Sequence, residues 1–229
     1  MLVQFKINKT LDKKLIHEFL NTFAGGVDFS KGIIRLHPDI KKVKGMDSDK
    51  KMRFISKYVN NYYSKNKTKI NKKLSEIQNY WNEKEKTYFE EIRKVFGIKK
   101  PIQRKYVAYV SIINSCTRWI SKKEFCVGYN LTITNNILVI CHELVHFFFY
   151  YYMNKKYPKS LNNEQKWIYS EIFNVVILNK PQFKQLFEPL KEQGYHAHKK
   201  NFNKFQKLYD NSKDMNEFFR KSIQLAKNI

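Results

Sequence analysis

At 229 residues, with 42% hydrophobic and 16% aromatic content, the chain has enough apolar material for one substantial core, which excludes a disordered or linker-type polypeptide. Its formal charge of +24 rests on 44 basic residues, of which six are arginine and the other 38 lysine. Arginine is the side chain that forks onto guanine or phosphate, so a lysine excess spread along the whole chain fits weak attraction to acidic partners and argues against dedicated nucleic-acid readout.

The opening Met1-Leu2-Val3-Gln4-Phe5-Lys6 lacks a basic stretch followed by an apolar one, so no secretory signal is expected and a cytoplasmic location is the expectation. Apolar residues at 15, 19, 20 and 23 predict a helix over 11–23 that Gly25-Gly26 stops, and Gly32 to Leu36 predicts a short strand ending near Pro38. From Asp47-Ser48, a good cap, to Gly97 the chain holds neither proline nor glycine, and its apolar spacing is helical. A weak stretch from Ser64 to Lys69 leaves two helices or one long helix with a polar middle. Tyr106 to Ile113 and the alternating Phe125 to Tyr129 predict two strands.

A helix capped at Thr134-Asn135 follows, apolar nearly all round to Tyr152, which predicts burial at the centre of a domain. Its apolar run, Ile137 to Met153, falls short of the roughly 20 residues that span a bilayer, so no membrane span is expected. Asn163 to Leu178 predicts an amphipathic helix limited by Pro181, and 182–192 and 198–227, the latter broken near Asn211-Ser212, predict two more. Residues 1–100 read as a mixed, then long-helical region and 101–229 as a region built around the buried helix, together one compact unit.

That helix carries His142-Glu143-Leu144-Val145-His146. Positions i and i+4 share a helix face, so His142 and His146 can bind one tetrahedral Zn²⁺, and Glu143 then sits where it can take a proton from a water on the metal. Two imidazoles and a carboxylate in so apolar a helix are costly to bury unless something satisfies them. Glu171, amid Trp167, Ile168, Ile172, Val175 and Val176, is the candidate third ligand, whereas Glu164 reads as a helix-dipole partner. In Gly194-Tyr195-His196-Ala197-His198, His198 is the first candidate donor to an oxyanion because Phe202 and Phe205 share its helical face; Tyr195 and His196 come next. Cys116, Cys126 and Cys141 show no paired spacing and predict buried free thiols.

His142, Glu143 and His146 on one helix and Glu171 in Trp-Ile-Tyr-Ser-Glu-Ile on the next resemble the gluzincin branch of the zincin metallopeptidases, which includes thermolysin, over about residues 105–180. The resemblance implies an α+β, mostly helical fold with a small antiparallel or mixed sheet packed on a buried active-site helix. It also implies one Zn²⁺, hydrolysis of peptide bonds in a peptide or protein substrate, and strand 124–129 as the edge that receives it. Thermolysin-like chains often place an aspartate four residues after the third ligand to orient a metal histidine. That position is Val175 here, which leaves Asn174 or a backbone carbonyl as the replacement. Two other classes remain: a basic protein with structural zinc that binds nucleic acid or an acidic surface, and a peptidase-like fold that binds peptides without cutting them. Structural zinc sites usually close with four protein ligands, and the three found here favour hydrolysis.

Overall fold

The computed structural model describes residues 2–114 and 117–229. In chain order it comprises β1 (Leu2–Lys6), α1 (Lys9–Phe19), a hairpin of β2 (Phe23–Ala24) and β3 (Val27–Asp28), α2 (Phe29–Leu36), and a 3₁₀ turn at Pro38–Val43. There follow α3 (Ser48–Phe96), β4 (Lys105–Ser111), β5 (Arg118–Trp119), β6 (Glu124–Gly128), α4 (Ile133–Lys156) and α5 (Asn163–Leu178). The short α6 (Pro181–Lys184), a 3₁₀ turn at His196–His198, α7 (Lys199–Asp210) and α8 (Met215–Ala226) complete the order.

Helix α3 is one uninterrupted element of 49 residues, about 74 Å long at 1.5 Å per residue. Ile55, Val59, Tyr63, Ile70, Ile77, Trp81, Tyr88, Ile92 and Phe96 are buried along it, each four or seven residues after the last, so one face stays inward for the whole length. The polar stretch from Ser64 to Lys69 is the outer side of that helix and not a break. Asp47 caps its start through Lys50 N at 2.8 Å, and Gly97 ends it in the left-handed region. Its first half closes a smaller core with Leu15, Ile16, Ile40 and Ile112, and its second half joins the main core around α4.

The expected mostly helical fold with a small mixed sheet is observed, in the order β1-β4-β6-β5. β1 pairs with β4 and β4 with β6 in parallel, while β5 runs antiparallel to β6. Residues 2–6 therefore sit in the same sheet as the strands that precede α4. β6 is not an edge strand: β5 pairs Arg118 with Phe125 and Trp119 with Glu124, so the two-residue β5 is the edge.

Several local expectations are corrected. Residues 32–36 lie in α2 and not in a strand, because Asp28 caps that helix, accepting from Ser30 N at 3.0 Å and Ser30 Oγ at 2.6 Å. α1 ends at Phe19, and Gly25-Gly26, both at positive φ, form the turn of the β2–β3 hairpin. Thr132, two residues before the expected cap, accepts from Asn135 N and starts α4. The expected helix over 182–192 shrinks to α6, and 188–195 is irregular, with Pro189 lacking an N–H and Gly194 at φ +62°.

α4 packs between α3 and α5 against β6, with Ile140, Cys141, Leu144, Val145 and Phe147 to Phe149 fully buried. Cys126 and Cys141 are buried, Cys141 as a free thiol, and Cys116 lies outside the described residues. Among the described residues no helix is long and apolar enough to cross a membrane.

His37 pins the start of this frame to the sheet. It is fully buried, with Nε2 2.9 Å from Ile112 O and Nδ1 2.9 Å from Tyr58 Oη, so the neutral ring donates from Nε2 and accepts at Nδ1. Burial lowers its pKa below the usual 6.5, so the unfolded chain binds the proton first as pH falls and the fold loses stability on acidification. In urea denaturation, the stability advantage of the wild type over His37→Gln is expected to shrink between about pH 7.5 and 5. An advantage that does not change with pH would contradict this.

Candidate metal centre

His142 and His146 lie one turn apart on α4, with their Nε2 atoms 3.0 Å from each other. α5, whose start is fixed by the reciprocal Asn162–Gln165 capping box, presents Glu171 to the same point. Glu171 Oε2 is 3.2 Å from His142 Nε2, and Oε1 is 3.4 Å from His146 Nε2. Ligand bonds of about 2.0–2.1 Å in tetrahedral zinc put neighbouring donor atoms about 3.3 Å apart, so the three residues are spaced to hold that ion. Glu171 Oε2 is also buried without a hydrogen-bond donor, which is costly for a carboxylate unless a cation completes its surroundings.

Two residues that the sequence reading passed over complete the site. Arg118, brought in by β5, sets Nη2 2.8 Å from Glu171 Oε1 and Nη1 3.5 Å from Glu143 Oε2. Glu192 places Oε2 3.1 Å from His142 Nδ1, the nitrogen turned away from the metal position. That is the carboxylate–histidine contact that fixes a ligating ring, and it comes from the irregular loop instead of from position 175. The loop is held in turn: Asn179 Nδ2 donates to Glu192 O, Glu192 N donates to Asn179 Oδ1, and Gly194 N donates to Glu192 Oε1. Gly194 is required there, since a Cβ would meet Val175 at 2.5 Å and Phe202 at 2.7 Å. Asn174 does not orient a ring through Nδ1. Its Nδ2 lies 2.8 Å from His146 Nε2, the metal-facing nitrogen, and His146 Nδ1 has no hydrogen-bond partner.

Three carboxylates, Glu143, Glu171 and Glu192, face one guanidinium here. With neutral imidazoles this leaves two negative charges, which one divalent cation neutralises. With protein groups alone a proton on His142 offsets one of the two: burial disfavours His142 charging, but Glu192 and Glu171 outweigh it and raise its pKa well above the usual value. Burial likewise opposes ionisation of Glu171, but His146, His142 and Arg118 prevail and hold it well below the carboxylate range. His146 is pushed down to about 3 by burial and by Arg118. Burial raises Glu143, against the pull of Arg118 and His142.

His142, Glu143 and Arg118 line an open cleft of about 750 Å³ together with Phe29, Leu138 and Tyr195. A second pocket of about 320 Å³ shares Arg118, Phe29 and Tyr195 and extends to Tyr150 and Trp167. Of the three donor candidates, only Tyr195 lines the cleft. His198 is buried against the rings of Trp167 and Tyr195, at 5.6 and 5.9 Å between centroids, and His196 is exposed on a separate depression beside Val175 and Asn179. The hairpin turn abuts Tyr195 so closely that a Cβ on Gly25 would stand 2.5 Å from its ring. Comparison of the chain with protein-family models, with curated proteins and with solved structures finds no match in any of the three.

Glu192→Ala is expected to leave the far-UV spectrum unchanged and to weaken zinc affinity about 10–100-fold in competition with a chromophoric chelator. Unchanged affinity would mean that the Glu192 contact does not hold His142 for metal.

Proposed function

We propose that this chain is a zinc-dependent metallopeptidase that hydrolyses peptide bonds with Glu143 as general base. The observation that carries the reading is the convergence of His142, His146 and Glu171, with donor atoms all within 4.8 Å of one another, directly behind a cleft that His142 and Glu143 line. His142, His146 and Glu171 would hold a Zn²⁺, which when bound would supply Lewis acidity and lower the pKa of a water toward about 7.

Glu143 takes the proton of the attacking water and returns it to the departing amine. Arg118 and Tyr195, both on the cleft wall, are placed to donate to the carbonyl oxygen as it gains charge. His198 packs against the Tyr195 ring and is not among the residues lining the cleft. Apolar walls from Leu131, Leu138 and Val139 beside the amides of Asn114 and Asn135 suit an extended peptide, whose side chains and backbone alternate between those needs. β5 borders the cleft through Arg118, which supports a zincin-like arrangement with β5, not β6, as the strand beside the substrate.

Purified protein from zinc-supplemented cells is expected to carry about one zinc per chain, as a three-ligand catalytic site would. Glu143→Ala should retain that zinc and lose hydrolysis of a quenched-fluorescence peptide library, whereas Glu171→Ala should lose the zinc itself. Less than about half an equivalent in the wild type would overturn the reading.

A further inference from the structure

Away from the cleft, at the end of the molecule where α3 and α4 finish and α8 begins, lies a groove of about 700 Å³. Six lysines line it: Lys94, Lys99 and Lys100 from the end of α3 and the segment after it, Lys155 and Lys156 from the last turn of α4, and Lys213 from the turn before α8. All six are exposed. Asp214 is the one acidic residue in the lining, and one of its oxygens caps α8 by accepting from Glu217 N at 2.8 Å. Lys94 pairs with Glu91, but among the described residues no carboxylate lies within ion-pair distance of Lys99, Lys100, Lys155, Lys156 or Lys213. Lysines in a last helical turn complement the helix dipole, which accounts for Lys94, Lys155 and Lys156. It does not account for the other three, which lie outside helices and face the same concave space.

The floor of the groove is rigid and partly apolar. Tyr152 Oη and Lys156 Nζ both donate to Asn216 Oδ1, and the Phe96 and Tyr152 rings pack beneath it, tilted, with centroids 5.6 Å apart. Like charges collected in a concavity focus a field that attracts anions and opposes folding until one arrives.

We propose that this groove is a docking site for an extended, acidic polypeptide segment. An extended strand advances about 3.3 Å per residue, so acidic side chains two apart lie about 7 Å from each other, and apolar atoms between them can rest on Phe96, Ile98 and Met215. Single-stranded nucleic acid would need a free aromatic face on which to stack, and the exposed Tyr151 ring is already covered by Lys155 Nζ at 5.7 Å. Lysine also lacks the planar fork that reads bases. The site does not depend on the metal centre, and its test needs no catalytic activity.

Fluorescence anisotropy of the full chain with a labelled oligoglutamate of about ten residues, and with a labelled oligothymidylate of equal charge, tests it at about 0.1 M salt. Lys99→Glu/Lys100→Glu/Lys213→Glu changes the groove, and Lys65→Glu/Lys67→Glu/Lys69→Glu, on exposed positions of α3, removes the same charge elsewhere. The groove variant is expected to weaken oligoglutamate binding at least about ten-fold and the control less than about three-fold, with circular dichroism unchanged in both. Lys→Gln versions of both triples repeat the comparison should a charge reversal disturb folding. Equal losses in groove and control would reduce the attraction to a diffuse one and overturn the proposal. So would groove-dependent oligothymidylate binding tighter than that of the peptide, or no peptide binding by the wild type.

Discussion

The structure turns on an unbalanced charge in a buried place. Glu143, Glu171 and Glu192 converge on two imidazoles, with Arg118 paired to the first two and His142 to the third, and the fold must hold that arrangement without collapsing it. Coulomb repulsion between carboxylates in low dielectric is strong, so each must be fixed by its own element. Glu143 is fixed by α4, Glu171 by α5, Glu192 by a loop tied back to Asn179, and Arg118 by the short edge strand β5.

Those elements are rigid because of what surrounds them. α4 is backed along its length by α3 and α5 with aromatic packing, as in Phe96 against Phe148 and Phe149 against Tyr169. Tyr88 Oη donates to the carbonyl of Cys141, next to the first histidine, and so ties the middle of α4 to the long helix. On the open side, glycines permit contacts that a side chain would block: Gly25 lets the hairpin touch Tyr195, and Gly194 lets the Glu192 loop close over Val175 and Phe202. Phe29, which follows the hairpin, and the 189–195 loop, far apart in sequence, thus line the same cleft.

How much of this was legible in the sequence follows from the range of each interaction. His142, His146 and Glu143 are set by helix periodicity alone, and Glu171 betrayed itself as a carboxylate in an apolar helix. α3, α5 and the strands β4 and β6 were readable from apolar spacing and, for α3, from the cap at Asp47. Arg118 and Glu192 were not readable, since each gains its role from a contact more than twenty residues away. Their only local signals were an arginine in a lysine-rich chain and an acid two residues before a glycine. The strand expected at 32–36 failed for another reason: the Asp28 cap acts locally and outweighs the β-branched residues that follow it. Helical periodicity likewise overreached at 182–192, where Pro189 lacks the N–H that a continuing helix needs.

Anomalous X-ray scattering across the zinc absorption edge, from crystals grown with zinc, tests the central claim most directly. One strong peak is expected about 2.0–2.2 Å from His142 Nε2, from His146 Nε2 and from a Glu171 oxygen, with Glu192 still on His142 Nδ1. No peak at that point, or a guanidinium of Arg118 filling it in the presence of excess zinc, would contradict the account.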